Sequence, residues 1–363
     1  MNTTPKIKLL ILTPTLQCGG SEKFVSLLCN NINTDLFSVS LAVLNNKNPF
    51  YKITNPAIEV ADLQEPRVRY ALFKIKKLVK QYQPHIVFTT ANHLNLYLAI
   101  FRWAFPGKIK FVARESSIVS INSQRAKLPP VYNRLIKKYF KRFDLIICQS
   151  AYMMQDLISN YGVPANKTTL IHNAVQDAAV SKTAYAARGA DKIHKFITVS
   201  RLSAEKGIER LIHAVGLLSF EFQYYITGAG KRKAYLQNLV HELQMEDKIF
   251  FSDEKTDPFS GMEDADLFLM GSYYEGFPNV LLEAGALGIP VIAFDVPGGI
   301  NEIISEGENG LLVDDNDLIA FAMAIRNATS LAFNRRKITE NTLKRFSVNT
   351  IVAQFEQLFR QMN

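Results

Sequence analysis

Two carboxylates, Glu275 and Glu283, bracket the run Glu275-Gly-Phe-Pro-Asn-Val-Leu-Leu-Glu283. Gly276 and Pro278 make a turn, and VLLEAGALG then reads as a mostly apolar helix ended by Gly288 and Pro290. Pro278 fits the first helical turn, where its missing N–H costs nothing, and Asn279 fits a capping residue. The N–H groups at such a helix start receive anions and polar ligands. Eight helical steps would separate the carboxylates by about 12 Å, and more if the first step is loop, roughly the length of a sugar diphosphate joined to a ribose. Two acceptor groups around an anion-binding turn suit a nucleotide-sugar.

Two further segments carry matching chemistry. Arg201-Leu-Ser-Ala-Glu-Lys206-Gly207 follows the apolar run KFITVS and opens the helical stretch IERLIHAVGLL. Two cations beside a glycine and a helix start suit a diphosphate, and equally describe solvated surface cations. Gly19-Gly20-Ser21-Glu22 follows the first strand, where paired glycines let the backbone approach a phosphate or simply make a tight turn. The loop is neither G-x-G-x-x-G nor a Walker motif, which argues against a dehydrogenase or an ATPase. Asp314-Asp315-Asn316-Asp317 has the look of a metal motif, but it follows GLLV and precedes a helix, so a solvated turn with an N-cap is the better reading.

The elements that must position these residues alternate. Strands are expected at 6–13, FSVSLAVL, HIVFTT, KIKFVA, DLIICQS and TTLIHN, with helices between. A segment poor in large aliphatics, 176–194, reads as a connector. A second series runs through KFITVS, FQYYITG, KIFFS, ADLFLM, IPVIAF and NGLLV. Buried apolar strands joined by helices imply parallel sheets covered on both faces. At 363 residues two cores are expected. The division is an N-terminal domain over 1–175 and a C-terminal domain over 195–345. The final helix, about 346–363, has Ile351, Val352, Phe355, Leu358 and Phe359 at helical spacing and is free to pack back on the first domain.

Three widely spaced cysteines, Cys18, Cys29 and Cys148, show no metal-ligand spacing and point to a reduced, cytoplasmic setting. The short apolar run after Lys6 and Lys8 reads as a buried strand and not a signal peptide. Nowhere are there about eighteen consecutive apolar residues, the length a membrane span needs.

Taken together and in order, Gly19-Gly20-Ser21-Glu22, Arg201…Lys206-Gly207 and EGFPNVLLEAGALGIPV resemble the family-4 retaining glycosyltransferases of GT-B architecture. SEKFVSLL, CQSAYMMQDL, GAG at 228–230 and VIAFDVPGGINEII agree with the same family. The resemblance implies two doubly wound Rossmann-like domains, an interdomain cleft, and a nucleotide-sugar donor, UDP-linked by expectation. The sugar moved would be a hexose or N-acetylhexosamine, and the acceptor a lipid-linked glycan or cell-surface polysaccharide. It implies that Arg201 and Lys206 neutralise the leaving diphosphate and that Glu275 accepts hydrogen bonds from the donor sugar. Glu283 would hold the ribose, with the backbone of Gly276, Phe277, Pro278, Asn279 and Val280 along sugar and phosphate. Gly19 and Gly20 would meet the diphosphate from the other domain. Weaker positions are His93, whose register is shifted, Gly298 and Gly299, which also fit a plain turn, and Arg114 with Glu115, which also fit a surface ion pair. The resemblance implies no metal, no further cofactor and no protein nucleophile, since attack occurs on the face the leaving group departs from. Ala174 and Ser252 stand where relatives often carry glycine.

Charge is uneven. Residues 1–180 hold 23 Lys and Arg against 9 Asp and Glu, while the whole chain balances at +9. The stretch 125–144, RAKLPPVYNRLIKKYFKRFD, sets Arg134, Lys137, Lys138, Lys141 and Arg142 beside Val131, Leu135, Ile136, Tyr139 and Phe140. With Trp103 and Phe105, suited to an interface if exposed, it fits peripheral contact with an anionic membrane, on the cytoplasmic face of an inner membrane, or a solvated helix on its own sheet. A GT-B-like epimerase and a basic nucleic-acid-binding protein are the alternatives. The second lacks aromatic-rich RNA motifs and any zinc or helix-turn-helix signature, so no nucleic acid is expected.

Overall fold

The computed structural model describes residues 5–124, 126–176, 193–253, 259–260 and 263–363. Residues 177–192 of the expected connector lie outside them. The chain forms two compact units, Met1–Ala174 with Val348–Asn363, and Val175–Ser347.

In the first unit the order is β1 (Ile7–Thr13), α1 (Gly20–Asn31), β2 (Phe37–Val43), β3 (Glu59–Asp62), α2 (Leu72–Tyr82), β4 (Ile86–Thr90) and α3 (Asn92–Ile100). Then come β5 (Lys110–Arg114), α4 (Val119–Ser123), α5 (Pro129–Tyr139), β6 (Leu145–Cys148), α6 (Ala151–Tyr161) and β7 (Thr168–Leu170). The seven strands are parallel in the order β3-β2-β1-β4-β5-β6-β7. Leu9 to Leu12 are wholly buried, as a central strand covered on both faces requires. At the edge, β3 is mostly exposed, so its alternation is too short to mark it as a strand in the sequence.

The second unit runs β8 (His194–Val199), α7 (Ile208–Val215), β9 (Phe222–Thr227), α8 (Lys233–Glu242), β10 (Ile249–Ser252), β11 (Leu267–Met270) and α9 (Asn279–Ala286). It ends with β12 (Val291–Asp295), β13 (Gly310–Asp314), α10 (Leu318–Ser330) and α11 (Arg335–Phe346). Its parallel sheet has the order β10-β9-β8-β11-β12-β13.

The last helix, α12 (Val348–Met362), belongs to the first unit. Phe355 lies 5.0 Å from Phe24 and 5.8 Å from Phe88, and Phe359 lies 5.6 Å from Phe88. Its apolar stripe thus completes the core on one face of the first sheet. No described helix is long and apolar enough to cross a membrane.

Candidate active site

In the second sheet, β9 and β10 lie to one side of β8, and β11, β12 and β13 to the other. The order therefore reverses between β8 and β11, and ligands of open α/β sheets gather outside the carboxyl ends at such a point. Arg201 to Gly207 leave β8 there, Gly271 to Val280 leave β11, and Gly298 and Gly299 follow β12.

After β8 the chain makes a short 3-10 turn, Ala204–Lys206, and Gly207 (φ 56°) then opens α7. Gly207 is required twice over: its φ is left-handed, and a Cβ would stand 1.9 Å from the carbonyl oxygen of Gly271. That close approach brings the β11 loop against the Lys206 turn. Lys206 Nζ then reaches Glu275 Oε1 at 2.5 Å, with both side chains mostly buried. Ser272 Oγ donates to the same oxygen at 2.6 Å. Both partners of Glu275 use Oε1, and no described residue bonds Oε2.

Behind Glu275 the backbone is fixed by the turn after β12. Glu275 N donates to Pro297 O at 3.0 Å, Gly299 N donates to Gly276 O at 3.0 Å, and Glu275 and Gly298 form a parallel bridge. A Cβ on Gly298 (φ 135°) would lie 1.5 Å from Glu275 O. Gly298 and Gly299 are thus the support of the Glu275 backbone, more than a plain turn.

The start of α9 differs from expectation. Pro278 is the N-cap, in extended conformation (ψ 112°), and Asn279 is the first helical residue. Pro278 supplies a carbonyl, not a missing N–H: Leu281 N donates to Pro278 O at 3.2 Å. Only part of the eight-residue span is therefore helical, so the uniform-helix spacing of the two glutamates does not apply. Phe277 turns inward, 5.8 Å from Phe346, and Val280 packs on the same core, so what either could offer a ligand is backbone. Glu283 is half-buried on α9.

Arg201 stands apart from the pair. Its side chain is 75% exposed and meets Glu205 at 3.4 Å. Glu205 is mostly buried but the guanidinium is in solvent, so the pair is screened and worth about 1 kcal/mol at most, and Arg201 can swing to an anion at small cost. The loop beneath it is firm: Leu202 N donates to Ala229 O at 2.8 Å and Arg232 N to Leu202 O at 3.1 Å. This gives the GAG segment its role.

In the first unit the order reverses between β1 and β4. Gly19, the N-cap of α1, and Gly20, its first residue, follow β1, and His93, exposed, lies in the first turn of α3 after β4. Arg114 and Glu115 do not form a surface ion pair: both are fully buried. They follow one another at the end of β5, and successive side chains there point to opposite faces. Arg114 lies 3.9 Å from the Phe24 ring centre and donates through Nη2 to Asn173 Oδ1 at 2.5 Å. Glu115 Oε1 accepts from Asn95 Nδ2 at 2.6 Å. Burial pushes the Glu115 carboxyl up to about 8, with Asn95 and Arg114 opposing, and pushes Arg114 down to about 9.

The acidic run at 314–317 also resolves. Asp317 caps α10 by accepting from Ala320 N at 2.8 Å, while Asp315 is committed to Arg210 at 2.6 Å. Among the described residues no cluster of His, Cys, Asp and Glu could hold a metal ion.

Residues 18–179 match the model of Glycosyltransferase Family 4, and residues 186–345 match that of Glycosyl transferases group 1. The chain belongs to the family-4 glycosyltransferases. It is 28% identical over 85% of its length, and 87% of the relative's, to a Campylobacter jejuni enzyme. That relative is named N-acetylgalactosamine-N,N'-diacetylbacillosaminyl-diphospho-undecaprenol 4-alpha-N-acetylgalactosaminyltransferase. Among solved structures, sucrose-phosphate synthase from Thermosynechococcus elongatus superposes with a TM-score of 0.82 at 21% identity, covering 98% of this chain and 99% of that one. Anabaena HepE in complex with UDP-glucose gives 0.77 at 19%, covering 98% and 100%. These likenesses establish the GT-B fold of this glycosyltransferase. Ser272, bonded to Glu275, and Arg210, bonded to the carbonyl of Ser272, are polar members of this candidate cluster that the sequence reading missed. Ser272 carries a faint signal, a hydroxyl three residues before a glutamate in a strand-end loop. Arg210 carries none, since a cation in a helix reads as solvated.

Proposed function

We propose that this glycosyltransferase moves a hexose or N-acetylhexosamine from a nucleotide-sugar, UDP-linked in the first instance, to a lipid-linked or cell-surface polysaccharide acceptor. It does so with retention of configuration and without a metal. The observation that carries the reading is the Lys206–Glu275–Ser272 cluster at the switch point of the second sheet. A cation and a carboxylate in contact there suit a ligand that is anionic at one end and hydroxylated at the other. Lys206 and Arg201 face the leaving diphosphate, where negative charge develops as the sugar–phosphate bond breaks. The amides around Asn279 and Val280 add the positive end of α9. Glu275 Oε2 accepts from sugar hydroxyls, and Glu283 holds the ribose.

No side chain is assigned as nucleophile. The acceptor hydroxyl attacks from the face the phosphate leaves, and the departing phosphate oxygen takes its proton. The protein supplies alignment and charge. With two cations meeting the diphosphate, charge neutralisation does not require a metal. The lipid-linked acceptor is supported by the Campylobacter relative, whose name carries a diphospho-undecaprenol acceptor. Contact with the cytoplasmic face of a membrane is supported by Trp103, 74% exposed, and by the exposed cations of α5, whereas Phe105 is buried against Phe111 and offers nothing to a membrane.

A panel of UDP- and GDP-sugars tests the donor reading, through raised melting temperature and NMR of the product's anomeric centre. One or more UDP-sugars should stabilise the chain and give an axial or equatorial linkage matching the donor's. Absence of stabilisation by every nucleotide-sugar, or an inverted product, contradicts it.

A further inference from the structure

Arg210 sits on α7 among Ile208, Leu211, Ile212 and Val215, all buried, and is itself only 4% exposed. Its guanidinium is spent on three strand ends. Nε donates to Gly271 O at 2.6 Å and Nη2 to Ser272 O at 2.5 Å, both on the loop after β11. Nη1 donates to Asp315 Oδ1 at 2.6 Å and Asn316 Oδ1 at 3.2 Å, on the loop after β13. Its planar group lies 3.9 Å from the Phe294 ring centre, on β12, and 4.1 Å from that of Tyr273. Burying a cation in this way is costly, and apolar packing would fill the space at least as stably. A rigid fork does what a leucine cannot, which is to fix two successive carbonyls in direction.

Those carbonyls belong to Gly271 and Ser272, and the Ser272 hydroxyl holds Glu275 Oε1. We propose that Arg210, anchored by Asp315, is a positioning residue for the donor sugar: it orients the Gly271–Ser272 backbone, hence Ser272 Oγ, hence the carboxylate of Glu275. The inference rests on the reading of Glu275 as the sugar-binding group. It also separates two halves of the donor. The Lys206 turn has its own bond, Lys206 N to Ser203 O at 3.0 Å, and a link to the β11 loop through Tyr273 N, which donates to Glu205 O at 2.9 Å, so the diphosphate end depends on Arg210 less directly than the sugar end does. Loss of the fork should disturb the sugar end more than the diphosphate end.

The test uses Arg210→Lys and Asp315→Asn in the full chain. Calorimetry compares UDP with UDP-glucose and UDP-N-acetylgalactosamine, and hydrogen exchange follows the amides of residues 271–276. For whichever UDP-sugar the wild type binds, Kd should rise about tenfold in Arg210→Lys and less in Asp315→Asn, while Kd for UDP stays within about twofold. Exchange should quicken at 271–276 and not in β12. Ser272→Ala added to Arg210→Lys should cost little further, because both act through one route. Equal weakening of UDP and UDP-sugar, additive effects of Ser272→Ala, or unchanged exchange at 271–276 would overturn the proposal. If the wild type bound no UDP-sugar, the donor reading would fall, and the exchange measurement alone would decide whether Arg210 sets this loop. Asp315→Asn serves should Arg210→Lys not fold.

Discussion

Lys206 Nζ lies 2.5 Å from Glu275 Oε1, and Ser272 Oγ lies 2.6 Å from the same oxygen. The carboxylate is thereby fixed through one oxygen and presents the other. Glu275→Gln keeps the shape and removes the charge, so Lys206 loses its partner in a mostly buried position. Turnover should fall by about 100-fold or more, the scale for losing one preorganised polar group. Stability should fall by about 1–3 kcal/mol, as for a charged hydrogen bond left unmade. Steady-state transfer assays and urea melts check both. Wild-type turnover in Glu275→Gln would remove this residue from the site.

Arg201 gives the contrasting case. Because its guanidinium is solvated and paired only to Glu205, Arg201→Ala should leave the melting temperature unchanged within about 0.5 kcal/mol of stability. Transfer should nonetheless drop severalfold or more, with most of the loss in kcat if the charge it meets develops in the transition state. A loss confined to KM would assign Arg201 to ground-state binding of the diphosphate.

Gly298→Ala should be among the more damaging small substitutions in the second unit. A methyl there collides with Glu275 O, and its φ of 135° is one that alanine avoids. The expected loss is more than about 2 kcal/mol, with Glu275 displaced. Thermal melts measure the first part and UDP-sugar affinity the second. A stable variant of unchanged affinity would show that the bridge between residues 275 and 298 can relax.

The two-sheet fold was legible because its central strands are apolar on both faces, as at Leu9–Leu12. The edge strand β3 was not legible, since exposure removes the pattern. Motif spacing singled out Lys206 and Glu275, which the structure brings into contact, because cations and carboxylates at strand ends are conspicuous in a sequence. Ser272 and Arg210 were missed because their roles depend on partners 3 and 61 residues away in sequence, in one case a backbone carbonyl that has no letter of its own. Arg114 and Glu115 were misjudged for a related reason. Charged residues are normally exposed, and only the positions of Phe24, Asn95 and Asn173 show these two to be buried.

Glu115 makes stability depend on pH with a definite sign. Its carboxyl titrates near 8 when folded, above the ordinary carboxylate value, so the native chain keeps a proton that the unfolded chain has already released. Stability therefore falls as pH rises from the ordinary carboxylate range to about 8, and this contribution is flat above it. Glu115→Gln retains the acceptor for Asn95 and abolishes the titration. Its melting temperature should exceed the wild type's increasingly between about pH 5 and pH 8. Parallel curves would place the titration elsewhere.

The proposed membrane contact predicts charge-dependent binding to anionic vesicles. Arg134, Lys137 and Lys138 on α5, with Lys141 and Arg142 beyond it, are exposed, as are Leu128 and Val131 at its start. Arg142 Nη1 donates to Ile100 O at 2.9 Å, which ties this basic segment to the end of α3 just before Trp103. The exposed cations and the exposed indole are thus joined through the end of α3. Each cation near an anionic surface is worth about 1 kcal/mol, so Lys137→Glu, Lys138→Glu and Lys141→Glu together should lower binding to phosphatidylglycerol vesicles by more than about 100-fold. Added salt should weaken the wild type in the same direction, because surface charge is screened within about a Debye length, near 10 Å at 0.1 M. Trp103→Ala should cost less and be insensitive to salt, since its contribution is apolar. Equal binding of wild type and triple variant, or equal binding to phosphatidylcholine, would mean that the basic helix serves only as a solvated cover for its own sheet.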